Sequence, residues 1–232
     1  MENSPHDFPV KRQLARRAAG KLVMIVILLG LMFFLPAGSL RFWEAWAFIA
    51  VLVGAMTALM FYFFKHDPRL LERRMQMKEK ERPQKLYVKL SVVFFAVSWL
   101  LPGFDRRWGW SSVPAAVVIL ADVLFLTAYL LFFWVMKTNS YASRTIEVVE
   151  GQRVVATGPY AYVRHPMYLA ALVMYAISPL ALGSYWAVIA FLPLPFLIAF
   201  RIRNEEEVLM RELPGYREYR ENTPYRLLPH VW

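Results

Sequence analysis

The chain has 232 residues, 58% of them hydrophobic, no cysteine and a formal net charge of +10. Soluble domains are usually about 45–50% apolar, so this composition predicts an integral membrane protein. The absence of cysteine excludes disulfides, thiolate metal sites and a cysteine nucleophile. The basic residues fall beside apolar runs, where they suit anionic lipid, and the chain carries no nucleic-acid-binding motif.

Two apolar runs open the chain, at residues 22–35 and 42–64. Both approach the roughly 20 residues that a helix needs to cross a bilayer. The first run follows basic residues and precedes small ones, so it is either a short membrane span or the apolar part of a signal peptide. We favour a span, with the second run as the other arm of a hairpin.

A charged segment at residues 65–85 carries both signs and predicts a solvated helix with pairs such as Glu81 and Lys85. A third span is predicted at residues 86–101 and a fourth at residues 113–136. Asp122 falls near the middle of the fourth span, where a carboxylate is costly. It is either functional or bonded to a neighbouring helix.

A polar segment at residues 137–167 precedes two short apolar arms around Gly183, at residues 168–182 and 184–200. Together the arms have about 33 residues, and at about 1.5 Å per residue they are too long for one span. They predict a bent helical hairpin, which is followed by a polar tail at residues 201–232. Asn139, Ser140, Ser143 and Arg144, near the end of the fourth span, are candidates to cap it or to reach a ligand.

The sequence therefore predicts an all-α fold, a polytopic membrane bundle of about six transmembrane helices with both termini in the cytoplasm. Among 27 Lys and Arg residues, only Arg41, Arg106 and Arg107 fall in loops predicted outside, as the positive-inside rule requires. The chain divides into an N-terminal four-helix membrane region, residues 1–136, and a core region, residues 137–232. The polar segment and the polar tail are expected to meet on the cytoplasmic face.

The stretch "GPYAYVRHPMYLA" concentrates polar and aromatic side chains immediately before the hairpin. Its two X-Pro steps disfavour helix in the preceding residue, and Pro166 suits the first turn of a new helix. The amides of Met167 and Tyr168 would then lie at a helix N-terminus, a position suited to anions. Arg164 and His165 supply donors there.

The tail begins with "RIRNEEEVLM", in which Arg201 and Glu205 are four residues apart, as are Arg203 and Glu207. Residues at this spacing share a helix face. Three consecutive carboxylates repel one another at a membrane surface. Accepting hydrogen bonds from the diol of a bound ribose would explain the presence of one of them. His6, His66 and His230 lack metal-ligand spacing, so no metal site is predicted.

The sequence "GQRVVATGPYAYVRHPMY", followed by an apolar hairpin and "RIRNEEEVLMRELPGYREYRENTPYRLLP", resembles the isoprenylcysteine carboxyl methyltransferase and phospholipid methyltransferase family. The resemblance covers residues 139–229 and implies a membrane-embedded methyltransferase that uses S-adenosylmethionine. It also implies a lipid or prenylated acceptor.

The resemblance implies a set of cofactor-binding residues. These are Gln152, Arg153, Val154 and Val155 in a strand-like approach, Tyr160, the turn His165, Pro166, Met167 and Tyr168, and Glu205 or Glu206. By the same resemblance Arg201 faces the acceptor, although Arg203 and Glu207 offer an alternative register. A carboxylate acceptor needs only orientation by a cation, whereas an amine or hydroxyl acceptor needs a base, for which His165 and Glu206 are the candidates.

Two other functions remain open from the sequence. Membrane sterol-type reductases that use NADPH resemble the family around Arg-His-Pro, but they usually carry Asn and an acidic residue where this chain has Met167 and Ala171. A non-catalytic membrane scaffold or lipid carrier with the same fold is the third possibility. The presence of both the Pro-rich turn and the acidic helix favours the methyltransferase.

Overall fold

The computed structural model describes residues 7–75, 82–142 and 148–232. These residues form helices, turns and irregular segments, and they contain no β-strand. The α-helices are α1 (Asp7–Ala37), α2 (Trp43–His66), α3 (Pro68–Met75), α4 (Arg82–Trp108), α5 (Ala115–Thr138), α6 (Pro166–Ala181), α7 (Tyr185–Ala190), α8 (Leu194–Glu212) and α9 (Tyr216–Asn222), with a 3₁₀ turn at Gly158–Ala161 before α6. The predicted all-α class agrees with this architecture.

Four stretches of the described chain are long and apolar enough to cross a membrane, and they occupy α1, α2, α5 and the α7–α8 unit. Helix α4 covers the predicted third span but carries charges at both ends. Helix α6 is apolar and has 16 residues. The predicted count of six spans thus stays a prediction, while four candidates are found.

Helix α1 differs from its predicted span because it is 31 residues long and begins at Asp7. The basic stretch before residue 22 is rich in Ala, Leu, Arg and Lys, which are strong helix formers. The helix therefore continues through the polar segment instead of starting at its edge. Leu14, in this extension, packs in a cluster with Leu70 and Leu71 of α3.

The predicted charged helix is observed in part, since α3 covers residues 68–75. The pair of Glu81 and Lys85 lies outside the described side chains. Ser143 and Arg144, considered above as capping or ligand residues, also lie outside the described part of the chain.

The C-terminal hairpin turns at Gly183, where φ is +70°, a value that favours glycine. Ser184 then caps α7, with its hydroxyl accepting a hydrogen bond from the amide of Ala187 at 3.1 Å. The predicted second arm at residues 184–200 is not one helix. It breaks after the six residues of α7, and Pro193 precedes the new helix α8, because proline suits the start of a helix but not its interior.

Aromatic and aliphatic side chains from α1, α2, α5 and α6 form the largest core cluster, in which Phe33, Phe48 and Phe125 are buried. Helix α5 packs mainly on α6, and α1 packs mainly on α4. The first of these contacts crosses the predicted boundary between residues 136 and 137. The division into two regions remains a prediction.

Many large apolar side chains remain exposed on the long helices. In α1, Ile27 is 58% exposed, and in α5, Leu120 is 57% exposed. Soluble proteins rarely expose large contiguous apolar patches, whereas a helix in lipid presents such residues to the acyl chains. The outer surface of the bundle therefore has the character of a membrane-embedded protein.

Three turns meet at one end of the bundle, where Asp105 joins two of them and Arg106 contacts the third. The Asp105 carboxylate is 1% exposed and accepts hydrogen bonds from the Ser184 hydroxyl at 2.5 Å and from the Ser111 amide at 2.7 Å. Arg106 at the same end donates to the carbonyl of Arg41 at 3.1 Å. The polar segments predicted to meet lie at the other end.

Asp122 is buried in α5 next to the main core, with 8% of its surface exposed. Its Oδ1 has no hydrogen-bond partner among the described residues. The expected bond to another helix is therefore not made by this oxygen.

Candidate active site

The Pro-rich turn and the polar tail meet at the end of the bundle where α5 ends and α6 begins. Gly158, with φ of +58°, starts the 3₁₀ turn, and a Cβ atom on it would lie 3.1 Å from Thr138 Oγ1 at the end of α5. The Arg164 amide then donates to the Tyr225 carbonyl at 2.9 Å, and the His165 amide donates to the Arg226 carbonyl at 2.9 Å. The predicted meeting of residues 137–167 with residues 201–232 is observed.

Helix α6 starts at Pro166, with His165 as its N-cap residue. This agrees with the start predicted from the X-Pro step. The anion site expected at the amides of Met167 and Tyr168 is not formed as predicted. The amide of Tyr168 donates to the carbonyl of His165 at 3.1 Å. The first turn is tightened in this way, and the Tyr168 amide is not available to a ligand.

Glu206 of α8 is the centre of a buried ionic cluster. Its Oε1 accepts from Arg164 Nε at 2.8 Å and lies 3.3 Å from His165 Nε2, and its Oε2 accepts from Arg226 Nε at 2.9 Å. Arg164 also donates from Nη1 to the Thr223 carbonyl at 2.7 Å. The cluster binds three parts of the chain together, with two guanidinium groups sharing the one carboxylate of Glu206.

Tyr168 connects the other two charged residues of the predicted site. Its hydroxyl donates to Glu205 Oε2 at 2.5 Å and accepts a hydrogen bond from Arg201 Nε at 2.9 Å. Arg201 and Glu205, four residues apart on α8, are thus joined by a side chain from α6. Arg203 and Glu207 are exposed on the opposite side of the helix, so the geometry favours the first register.

An open cavity of about 120 Å³ lies between these elements. The walls come from the end of α5, the irregular segment before the 3₁₀ turn, the start of α6, and helices α8 and α9. The lining residues are Asn139, Tyr141, Ala142, Gln152, Arg153, Val154, Val155, Tyr160, Arg164, His165, Met167, Tyr168, Arg201, Glu205, Leu209, Leu213, Tyr216 and Tyr219.

Most of the residues predicted for the site line this cavity. They are Gln152, Arg153, Val154, Val155, Tyr160, His165, Met167, Tyr168, Arg201 and Glu205. Pro166 and Glu206 do not line it. Pro166 is buried at the start of α6, and Glu206 lies behind the wall, where its carboxylate is already bonded. Of the two carboxylates considered, the geometry favours Glu205 for a ligand.

The predicted strand-like approach is an irregular segment. Residues 152–156 have no regular secondary structure, because the segment has no neighbouring strand to pair with in the described chain. The side chain of Gln152 fixes a turn within it, with Oε1 accepting from the amide of Val149 at 3.0 Å. Val154 and Val155 continue from this turn along the cavity.

Tyr160 is held by two hydrogen bonds, one from Asn139 and one from Tyr219. The sequence did not predict that these three residues meet. The Tyr160 hydroxyl accepts from Asn139 Nδ2 at 3.1 Å, and the Tyr160 carbonyl accepts from the hydroxyl of Tyr219 at 2.8 Å. Burial raises the pKa of Tyr160 to about 12, although the bond from Asn139 and the charge of Arg74 act the other way. The hydroxyl is therefore protonated at neutral pH and available as a donor.

Asn139 is the C-cap residue of α5 and also lies in the cavity wall. Its backbone amide donates to the carbonyl of Val135 at 3.0 Å, and the residue lines the cavity. The residues missed by the sequence analysis are mainly Arg226, Tyr216 and Tyr219. The tyrosine spacing in "GYREY" was the available signal, since a three-residue separation puts both rings on one face of α9.

No group of three or more His, Asp or Glu side chains that could hold a metal ion occurs within the described ranges.

Residues 118–211 match the family model of the isoprenylcysteine carboxyl methyltransferase (ICMT) family. Over 93 residues the chain is also 31% identical to a Delta(14)-sterol reductase of Mus musculus. That similarity covers 38% of this chain and 22% of the reductase, so the chain spans less than a quarter of that relative's length. The family match over residues 118–211 and the apolar helices agree with the resemblance found in the sequence to a family of membrane methyltransferases.

Proposed function

We propose that this protein transfers a methyl group from S-adenosylmethionine to a lipid-borne acceptor. The observation that carries the proposal is a cavity lined by most of the predicted cofactor-binding residues at the polar end of an apolar bundle. A polar cofactor comes from the aqueous phase and an apolar acceptor from the lipid bilayer. A site that binds both therefore has to lie at the boundary between water and membrane.

The chemistry of the cavity fits S-adenosylmethionine. The side chains of Val154, Val155 and Leu209 offer apolar surface for a nucleoside, and the carboxylate of Glu205 offers an acceptor for ribose hydroxyls. The lining also includes Arg164, a buried cation that suits the carboxylate of an amino acid. When bound, the cofactor supplies a methyl group activated by its sulfonium charge.

The protein contributes orientation and the exclusion of water. Methyl transfer from a cation to an anion consumes opposite charges, and water stabilises the separated charges more than the dispersed transition state. A dry, aligned site therefore lowers the barrier, and positioning alone can supply about 7–11 kcal/mol in favourable cases. Arg201 is 8% exposed, and its side chain is held by Tyr168. The guanidinium can therefore orient an acceptor carboxylate without first changing its own conformation.

An amine or hydroxyl acceptor would need a general base, and His165 is the better candidate. Glu206 is bound by two arginines and His165, which stabilise its ionised form and block its approach to a ligand. Because a carboxylate only accepts hydrogen bonds, it holds the proton of His165 on Nε2. The Nδ1 atom then remains as the acceptor for a substrate proton.

The proposed topology has six spans, with α4 and α6 crossing the membrane beside the four helices named above. The cavity and both termini then face the cytoplasm, and the Asp105 end faces the opposite side. The distribution of Lys and Arg supports this orientation.

A reductase using NADPH is the alternative that the partial similarity to a sterol reductase raises. Met167 and Ala171 stand where the reductases described above usually carry Asn and an acidic residue, which argues against it. The two functions differ in ligand. Binding of NADPH, without binding of S-adenosylmethionine, would reverse the assignment.

The test compares ligand binding by the purified protein with that of Tyr168→Phe. This change removes the hydroxyl that joins Arg201 to Glu205. We expect the affinity for S-adenosylhomocysteine, measured by calorimetry in detergent, to fall roughly tenfold or more, since hydrogen bonds to charged groups contribute about 1.5–3 kcal/mol.

The matched control is Tyr162→Phe, six residues earlier in the same Pro-rich stretch, where the side chain is 69% exposed and no loss of affinity is expected. Equal affinity in the wild type and Tyr168→Phe would contradict the proposed site. The acceptor is then identified by incubating native membranes with methyl-labelled S-adenosylmethionine and finding which lipid or prenylated peptide acquires the label. The absence of any labelled product would favour the scaffold.

A further inference from the structure

The hydroxyl of Tyr216 stands out among the buried polar atoms of the described chain. Six side-chain nitrogen or oxygen atoms in this part of the protein are buried and lack a hydrogen-bond partner, and they belong to Glu44, Ser91, Trp99, Asp122, Asn204 and Tyr216. Only Tyr216 among these residues lines the cavity. Its side chain belongs to the wall, with 4% of the residue exposed.

The local structure fixes the ring of Tyr216 in this wall. Gly215, with φ of +82°, is the N-cap residue of α9. It lies against the irregular segment at residues 152–156, since a Cβ atom on it would be 3.8 Å from Val154 Cγ2. The ring packs in a cluster with Leu213 and Tyr219, and the two tyrosine ring centroids are 5.9 Å apart. The hydroxyl is therefore held in place by packing rather than by a hydrogen bond.

Such a hydroxyl costs free energy in the protein without ligand. A phenylalanine would fill nearly the same volume without burying an unsatisfied donor. The same ring is held on the other side by Tyr219, whose hydroxyl is satisfied by the carbonyl of Tyr160 at 2.8 Å. The two tyrosines of α9 thus differ in whether the hydroxyl has a hydrogen-bond partner.

The charge near Tyr216 indicates what its hydroxyl offers to a ligand. Burial, followed by the negative charges of Glu206 and Glu205, raises the pKa of Tyr216 well above its usual value. The phenol therefore keeps its proton and acts as a donor. Glu205 in the same cavity can only accept. A donor and an acceptor on residues that line one cavity suit a hydroxyl group, which both accepts and donates.

We infer that Tyr216 is a ligand-binding residue, and that its hydroxyl donates a hydrogen bond to a ribose hydroxyl of the bound nucleoside. This inference rests on the proposed function. It adds to the site a residue beyond the segment that matches the family model, which ends at residue 211. It also gives α9 a direct role in recognition, in addition to packing.

The experiment uses the full chain with Tyr216→Phe and measures two properties. Titration with S-adenosylhomocysteine should show an affinity about tenfold weaker than that of the wild type, as expected for the loss of one well-formed hydrogen bond. Thermal unfolding without ligand should show a midpoint raised by about 2–4 °C, because an unsatisfied buried hydroxyl has been removed.

Tyr219→Phe is the control for the stability measurement. Its hydroxyl has a partner, so the midpoint without ligand should fall rather than rise. Two results would overturn the inference: unchanged affinity in Tyr216→Phe, or a fall in its midpoint like that of Tyr219→Phe. If the wild type itself fails to bind S-adenosylhomocysteine, the proposed function and the inference fall together, which is distinct from a change confined to one variant.

Discussion

Adjacent carboxylates of α8 have different surroundings, although the sequence presents them as equivalent. Glu205 lines the cavity and accepts from Tyr168. Glu206 is buried among Arg164, His165 and Arg226. On a helix, successive residues point about 100° apart, so one faces the cavity while the next faces the packed tail. The proposed ligand contact and the structural support thus fall on different side chains.

Glu206→Gln should destabilise the protein by about 3–5 kcal/mol, because it leaves Arg164 buried without its compensating charge. The measurement is the midpoint of thermal unfolding in detergent without ligand. Glu207→Gln provides the matched control, since the neighbouring carboxylate is exposed and such changes usually alter stability by less than about 0.5 kcal/mol. Equal midpoints in the two variants would show that the ionic cluster does not support the fold.

Many of the residues that line the cavity could be predicted because they lie in two short segments with distinctive chemistry. The partners of Glu206 could not, since Arg226 is 20 residues away and follows a bend whose geometry depends on the packed tail. Tyr216 could not be predicted either. It stands out because its buried hydroxyl has no hydrogen-bond partner among the described residues, and a missing partner leaves no signal in the sequence.

At the scale of the helices, the close approach of α1 and α4 depends on Gly103. A Cβ atom at this position would lie 2.6 Å from the carbonyl oxygen of Phe33 and 2.9 Å from Cβ of Pro36. Both are parts of α1 that cannot move independently of the helix. The contact therefore requires glycine, although glycine weakens a helix interior.

Gly103→Ala should force α1 and α4 apart and destabilise the protein by about 1–3 kcal/mol, as overpacking does in well-packed cores. Gly54→Ala in α2 is the comparison, because a Cβ atom there meets nothing within 4 Å. It should leave stability unchanged or raise it by about 0.5–1 kcal/mol, since alanine is the better helix former. Unfolding midpoints that fall equally in both variants would argue against a specific contact at Gly103.

The ends of the helices were predictable where apolar runs stop at polar or turn-forming residues. The run at 42–64 corresponds to α2 (Trp43–His66), and the run at 113–136 corresponds to α5 (Ala115–Thr138). Hydropathy failed where helix propensity and hydrophobicity disagree, as in the basic first half of α1. It also failed to show the break between α7 and α8, because the residues around Pro193 are as apolar as the helices beside it.

At the scale of the whole molecule, two polar ends enclose an apolar middle. The cavity lies at one end, and Asp105 and Arg106 connect three turns at the other. A membrane protein with this arrangement has a defined orientation, set by its basic residues. Only the orientation with the cavity inside would give the proposed cytosolic cofactor direct access to the cavity.

This orientation can be tested by single cysteines, because the natural chain has none. Ser112→Cys lies in the exposed turn between α4 and α5 at the Asp105 end, and Glu221→Cys lies on the exposed side of α9 near the cavity. An impermeant maleimide added to intact cells should label the first variant only. Permeabilisation should make the second reactive too, since it would open the cytoplasmic side to the reagent.

Arg12→Cys, on the exposed side of α1, extends the test to the N-terminal end of the bundle. With six spans its reactivity should follow that of Glu221→Cys, and the parent chain should remain unlabelled throughout. Labelling of Arg12→Cys in intact cells, with Glu221→Cys still protected, would require an odd number of crossings and would place α4 or α6 outside the set of spans. Labelling of Glu221→Cys in intact cells would put the cavity on the side without cytosolic cofactor, and a cytosolic methyl donor could not then serve it.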